Sequence, residues 1–75
     1  MITTLKKFEV RSKETNNLIS AYSLKLNGYT YELHSTTEVL IRGIEAERKY
    51  RECLKLNREI VKQMPDLNLK LIEIK

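Results

Sequence analysis

Cysteine occurs once, at position 53, and tryptophan not at all. A lone thiol closes no internal disulfide, and no cysteine–histidine cluster supplies a structural zinc site in its place. Gly28 and Gly43 stand apart, so there is no glycine-rich phosphate loop. No apolar run approaches a membrane span, and no signal-peptide pattern follows Met1. The expectation is a cytoplasmic protein with no membrane contact. Glycine, alanine and proline are scarce while Lys, Asn, Ile and Tyr are frequent. That bias tracks AT-rich codons and points to a low-GC bacterium or one of its phages, in which case the host cytoplasm is the expected location.

What remains is one small domain, residues 1–75. A chain this short buries a modest share of its surface and is marginally stable alone, so it needs a good core or a partner. The formal net charge is +4. Residues 1–34 hold five bases and three acids, residues 35–75 nine and seven, so neither half is a charged tail. A balance this mild permits nucleic-acid binding without requiring it, and it excludes a strongly acidic DNA mimic.

The stretch "YSLKLNGYTYELH" predicts a hairpin turning at Asn27-Gly28, because both central positions of a type I′ turn need positive φ. That register sets Leu26 opposite Tyr29, Leu24 opposite Tyr31 and Tyr22 opposite Leu33, all on one face. The other face carries Ala21, Ser23, Lys25, Thr30, Glu32 and His34. An earlier hairpin turns at Glu14-Thr15-Asn16, with Asn16 left-handed. It pairs Ser12 with Leu18, Val10 with Ser20 and Phe8 with Tyr22, which brings Phe8 and Val10 to the apolar face.

Ser35 and Glu38 have the spacing of a helix-capping box. The predicted helix then runs over 36–64, to the residue before Pro65. It would be about 43 Å long against strands of about 25 Å, so it would overhang the sheet, and an overhanging apolar stripe favours a homodimer. "LNLKLIEIK" reads as a final strand whose alternation slips at Leu71. Leu67, Leu69 and Leu71 share one phase, while Ile72 and Ile74 take the other; a bulge or burial on both faces would explain it. The predicted fold is α+β, in the order β-β-β-α-β: a three-stranded antiparallel meander, one long helix packed on one face, and a fourth, C-terminal strand. A right-handed crossover places that strand beside the first and parallel to it.

On the helix, Val39, Gly43, Ala46, Tyr50, Cys53, Asn57, Ile60 and Met64 form the stripe expected to lie on the sheet. The same four-three spacing also fits a self-association seam, which Glu47 and Asn57 would interrupt. Arg48, Arg51, Lys55, Arg58 and Lys62 line the adjacent flank over about 21 Å of helix rise, a line that begins at Ile41 and Ile44. Glu38, Glu45, Glu52 and Glu59 repeat on the other side. This basic ridge is either a contact surface for phosphates or an acidic protein, or a solvated helix edge laced by i, i+4 pairs. Lys7, Arg11 and Lys25 join it as candidate partner-binding residues, on the outer face of the sheet with Ile19, Ala21 and Leu5. Were Ile72 and Ile74 to point the same way, that face would gain a modest apolar patch.

Chemistry-bearing groups are few. His34 sits between a strand and a helix start, where it either stacks on Val39 or faces solvent. Cys53 falls on the core stripe and reads as a structural thiol, since a reactive thiolate needs an exposed, electropositive site. The carboxylates are scattered, each near a base, so no acid/base pair stands out. Tyr22, Tyr29 and Tyr31 would offer a stacking surface for bases on an open sheet, but they lie on the face assigned to the helix. No cofactor or metal site is expected. The pattern points to a non-enzymatic small binding protein that modulates or inhibits a macromolecular partner, a protein in the first instance, in the manner of phage- or mobile-element-encoded inhibitors of host defence or nuclease machinery. The alternative is a nucleic-acid-binding protein that sets the basic ridge on phosphates.

Overall fold

A computed structural model describes residues 1–74. β1 (Ile2–Ser12), β2 (Leu18–Asn27) and β3 (Thr30–Ser35) form the expected antiparallel meander. A short strand, β4 (Val39–Arg42), follows, then helix α1 (Glu45–Gln63), a 3₁₀ turn (Pro65–Leu67) and β5 (Leu69–Ile74). The sheet order is β4-β3-β2-β1-β5, and every neighbouring pair is antiparallel. The fold is α+β, with the helix packed on one face of the sheet.

β4 occupies residues that the sequence assigns to the first turns of a 36–64 helix. Ser35 and Glu38 do not cap a helix. The Ser35 amide donates to the Glu38 carbonyl at 2.8 Å, closing a tight turn that sends Val39–Arg42 back along β3. Val39 and Ile41 are β-branched and favour a strand. Gly43 then breaks with φ +100°, a left-handed value that side chains resist. The helix begins only at Glu45, where Glu45 and Glu47 favour the positive end of its dipole. It ends at Gln63 as expected from Pro65.

This extra strand reverses the chain once more before the helix, and so decides the direction of β5. Without it, the helix would return the chain for a strand parallel to β1. With it, β5 enters from the other end and runs antiparallel to β1, from Leu69 opposite Ser12 to Ile74 opposite Lys7. The expected neighbour is right and the expected direction is overturned.

Three β-bulges shape the sheet. Leu5 in β1, Ile19 in β2 and Leu40 in β4 are each skipped by the pairing. A bulge residue leaves the in-out alternation, and all three of these aliphatic side chains are exposed. The first hairpin closes by Ser12 N–H to the Asn17 carbonyl at 3.0 Å, with Asn16 left-handed at φ 62°. Its loop is therefore one residue longer than the predicted three, and Arg11 rather than Ser12 pairs with Leu18. The bulge at Ile19 cancels that extra residue, so Val10 still faces Ser20 and Phe8 still faces Tyr22. The second hairpin turns at Gly28-Tyr29, not Asn27-Gly28: Asn27 pairs with Thr30, Leu26 with Tyr31 and Leu24 with Leu33. Glycine at the first central position, here with φ 64°, suits a type II′ turn. The shift is two positions, so each residue keeps its face except Tyr29, which moves to the tip and into solvent.

The core lies between sheet and helix. Phe8, Val10, Leu24 and Leu33 meet Ala46 and Tyr50, with Tyr22, Tyr31, Cys53, Leu54, Val61, Leu69 and Leu71 half-buried around them. Phe8 stacks on Tyr22 at 5.1 Å between ring centroids and meets Tyr50 edge-on at 5.6 Å. Burying each large apolar side chain contributes about 1.5–3 kcal/mol. β5 carries no bulge. Leu69 and Leu71 turn to the helix, while Ile72 and Ile74 take the outer face. The helix is about 28 Å long, whereas eleven-residue β1 spans about 36 Å. The sheet therefore overhangs the helix, the reverse of the expected arrangement.

Candidate interaction site

The predicted basic residues fall into two groups on different faces. Arg48, Arg51, Lys55, Arg58 and Lys62 do line one flank of α1, all exposed. Three of them are already paired. Arg48 donates to Glu45 at 3.0 Å, Arg51 to Glu47, and Arg58 to Glu73 of β5. Among the described residues, Lys55 and Lys62 have no carboxylate within ion-pair reach. Exposed pairs of this kind are worth about 0–1 kcal/mol and exchange readily for a better partner.

On the outer face, Lys7 and Arg11 share one carboxylate, Glu9, at 3.7 and 3.1 Å. Arg11 and Lys7 hold the Glu9 carboxyl below its ordinary pKa, Arg11 with the larger effect. Lys25 lies two strands from the β5 edge, opposite Glu32 of β3, with no ion pair among the described residues. The candidates thus divide into a helix flank and an outer-face row in which Glu9 serves both Lys7 and Arg11.

Lys6 connects the two. It shares the phase of Phe8 and Val10, so it points to the helix side, and its ammonium lies 5.4 Å from the centroid of the Tyr50 ring. Here a groove of about 200 Å³ opens between helix and sheet, beyond the end of β5. Tyr50 and Leu54 line it, with Lys6, Lys7 and Arg51 against the single carboxylate Glu73. Glu73 is engaged by Arg58, and Arg51 holds the Glu47 carboxyl below its usual pKa, with Lys6 a lesser contributor. Burial pushes the Tyr50 phenol up to about 12, with the nearby Glu73 charge adding to the shift, so it stays neutral.

The same end of the molecule holds its most exposed apolar groups. β1 starts there, with Ile2 opposite Asn27, and the Gly28-Tyr29 turn adjoins it. The Gly43 amide donates to the Tyr31 carbonyl at 2.8 Å, which brings Ile44 to that end too. Tyr29 is fully exposed, Ile44 is 91% exposed and Ile2 52%. Such a tip contrasts with the opposite end, which is closed by the loop after β1 and the turn after α1. Among the described residues, β5 reaches only as far as Lys7 along β1, and nothing pairs with that side of Ile2–Leu5.

A second, buried cluster sits on the outer face. Glu32 is only 3% exposed although it lies on the face of the sheet away from the helix. Arg42 Nε donates to it at 3.1 Å, Asn27 Nδ2 reaches it at 3.5 Å, and His34 Nε2 lies 2.7 Å away. The His34 hydrogen bond, ahead of Asn27 and the Arg42 charge, holds the Glu32 carboxyl below the usual carboxylate range against the opposing effect of burial. His34 thus lies opposite Val39 as a cross-strand neighbour in place of a helix staple, with its ring held by Glu32. Among the described residues, no group of three or more potential ligands could hold a metal ion. Cys53 is half-buried with its pKa raised by burial first and Glu52 second, the condition of an unreactive thiol.

Lys6 and Glu32 were not among the residues singled out by sequence. The phase of β1 carried the signal for Lys6. Alternation placed His34 on the same face as Glu32, but its other partner Arg42 comes from β4, a strand not expected from the sequence. No helix among the described residues is long and apolar enough to cross a membrane. No family model, curated protein or solved structure matches the chain.

Proposed function

We propose that the protein works by binding, not catalysis: it occupies another protein and modulates or inhibits it, docking through the open end. One observation carries the reading: exposed Ile2, Tyr29 and Ile44 gather at the end where the basic helix flank begins. Exposed aromatic and aliphatic groups ringed by charge are the usual makings of a protein interface. Tyr29 is well suited to anchor it, since a rigid aromatic gives much contact area for little lost freedom.

Nucleic acid remains the competing partner, because the flank still presents five cations. Phosphate contacts by all five would give a log–log salt slope of about −4 to −5, and contacts by Lys55 and Lys62 alone about −2. The deciding experiment is nuclease-treated affinity capture with wild type and the double variant Tyr29→Ser, Ile44→Ser. A protein recovered by the wild type and lost with the variant supports the proposal. Recovery that disappears on nuclease treatment, with a mobility shift of DNA or RNA at low salt, transfers the function to nucleic acid. Equal recovery by both removes the open end from the account.

A further inference from the structure

We infer that β4 is a self-association edge: two copies of the chain pair β4 with β4, antiparallel about a two-fold axis at Leu40, and join their two five-stranded sheets into one. This goes beyond the partner-binding reading and stands without it. The helix overhang expected to favour a homodimer is absent, but the sheet supplies different ground. β4 ends the sheet on the side away from β5, and among the described residues only β3 pairs with it. Its outer N–H and C=O groups are therefore open to another strand. A shallow groove of about 390 Å³ lies along it, lined by Val39, Leu40, Ile41 and Arg42. One strand makes one wall of that groove, and a second strand laid alongside makes the other.

Charge at the two ends of the strand names the occupant. Glu38 precedes β4 and Arg42 closes it, with Val39, Leu40 and Ile41 between. Arg42 gives its Nε to Glu32 at 3.1 Å, and among the described residues it meets no other carboxylate. Its side chain stays 69% exposed, which leaves the guanidinium room for a second one. The Glu38 carboxylate is in no ion pair or hydrogen bond among the described residues; only its carbonyl is used, by Ser35. Four residues of strand, about 13 Å, keep this acid from this base within one chain. A complementary strand must carry a base for Glu38, aliphatics for the middle and an acid for Arg42. Run antiparallel, "EVLIR" is that strand. Each residue that meets another across the axis is met by it in return, the property of a two-fold interface. Pairing about Leu40 brings Glu38 of each copy to Arg42 of the other and sets the exposed Leu40 against its own counterpart.

The remaining charges do not oppose it. Each copy carries +4, but the basic flank of α1 lies toward β5, where Arg58 meets Glu73, at the far edge of the sheet from β4. The bulge at Leu40 and the four-residue length make β4 a poor template for arbitrary strands, so matched ends decide what adds to it. The antiparallel join also turns the two copies end for end. Their open ends, each with Ile2, Tyr29 and Ile44, then point in opposite directions, and one dimer is bivalent.

Four residues a side make a small interface, so the dimer is weak and concentration-dependent. The test is sedimentation velocity of the full chain up to about 1 mM, with amide exchange at both ends of the concentration range. Wild type should pass from monomer to dimer and gain protection at Val39–Arg42. Leu40→Lys and Leu40→Glu, with their folds checked by circular dichroism, should each sediment as monomers, because the axis sets like charges together. Mixed in equal amounts, they should dimerise again. Glu38→Lys should weaken the dimer at least about tenfold while the monomer's melting temperature holds. Wild type that stays monomeric throughout would overturn the proposal. So would a dimer that gains protection elsewhere, an association that Leu40→Lys leaves intact, or a mixture that stays monomeric. None of these readouts involves the partner protein, whose binding is tested by capture alone.

Discussion

β1 is one strand in two settings. From Lys7 to Ser12 it has β2 on one side, β5 on the other and α1 across one face, and Phe8 and Val10 are almost wholly buried. From Ile2 to Leu5 it has, among the described residues, β2 alone, and Ile2 and Leu5 are 52% and 40% exposed. Residue type does not explain the contrast, since isoleucine and leucine are as apolar as valine. Neighbours do. Among the described residues β5 pairs with β1 only from Lys7 onward, and the helix is shorter than the strand, so the second half is scaffold and the first half is more exposed.

That contrast breaks most readily at the buried half. Phe8→Ala should cost about 3–5 kcal/mol, enough to unfold much of a small domain; urea or thermal denaturation followed by circular dichroism reads it directly. A native-like midpoint would mean the core does not centre on Phe8. Next comes the joint that sets the helix over this half. Gly43→Ala should cost about 1–3 kcal/mol through backbone strain alone, because an added Cβ there meets no atom within 4 Å. Gly28→Ala, also in open space, should lose less, because φ 64° lies within the left-handed region that other residues can enter and φ 100° does not.

Glu32 sharpens the comparison from the outer face. Its folded pKa is depressed, so its contribution is present above the ordinary carboxylate value and is lost as pH falls through the folded value. Wild type should therefore exceed Glu32→Gln in melting temperature at pH 7, and the gap should close on acidification below pH about 4. A gap that does not vary with pH would assign the effect to packing. The smallest change is expected at the open half. Ile2→Thr and Leu5→Ser should leave the denaturation midpoint within about 0.5 kcal/mol of wild type while reducing recovery of the partner. A large loss of stability would show the first half to be scaffold after all.

Much of this was legible in the sequence where parity governs. The faces of β1, β2 and β3 follow from alternation, and they survive a turn displaced by two positions and a loop lengthened by one. In the first case the slip is even; in the second the Ile19 bulge restores the phase. Parity fails where one short run fits two periods. "STTEVLIRG" carries both a capping pattern and a β-branched strand, and only pairing with β3 chooses between them. That single ambiguity propagates, since a missing strand reverses the chain and turns an antiparallel β5 into a parallel one. The basic flank was legible because helical spacing alone defines it. The pairing of Arg58 with Glu73, the approach of Lys6 to Tyr50 and the reach of Arg42 to Glu32 all depend on contacts between distant segments.

The pairing of β1 with β5 also bears on how the protein comes to be made. Val10 faces Leu71, so β1 leaves the ribosome well before its second neighbour does. Closing so long a loop is entropically slow compared with forming the two hairpins. Until then β1 has β2 alone beside it, and a nascent chain presents its other edge unpaired. Lys7, Glu9 and Arg11 lie along the half that is later covered. Their mutual ion pairs keep that temporary edge charged and hydrated, which guards the unfinished molecule against joining its neighbours on the polysome.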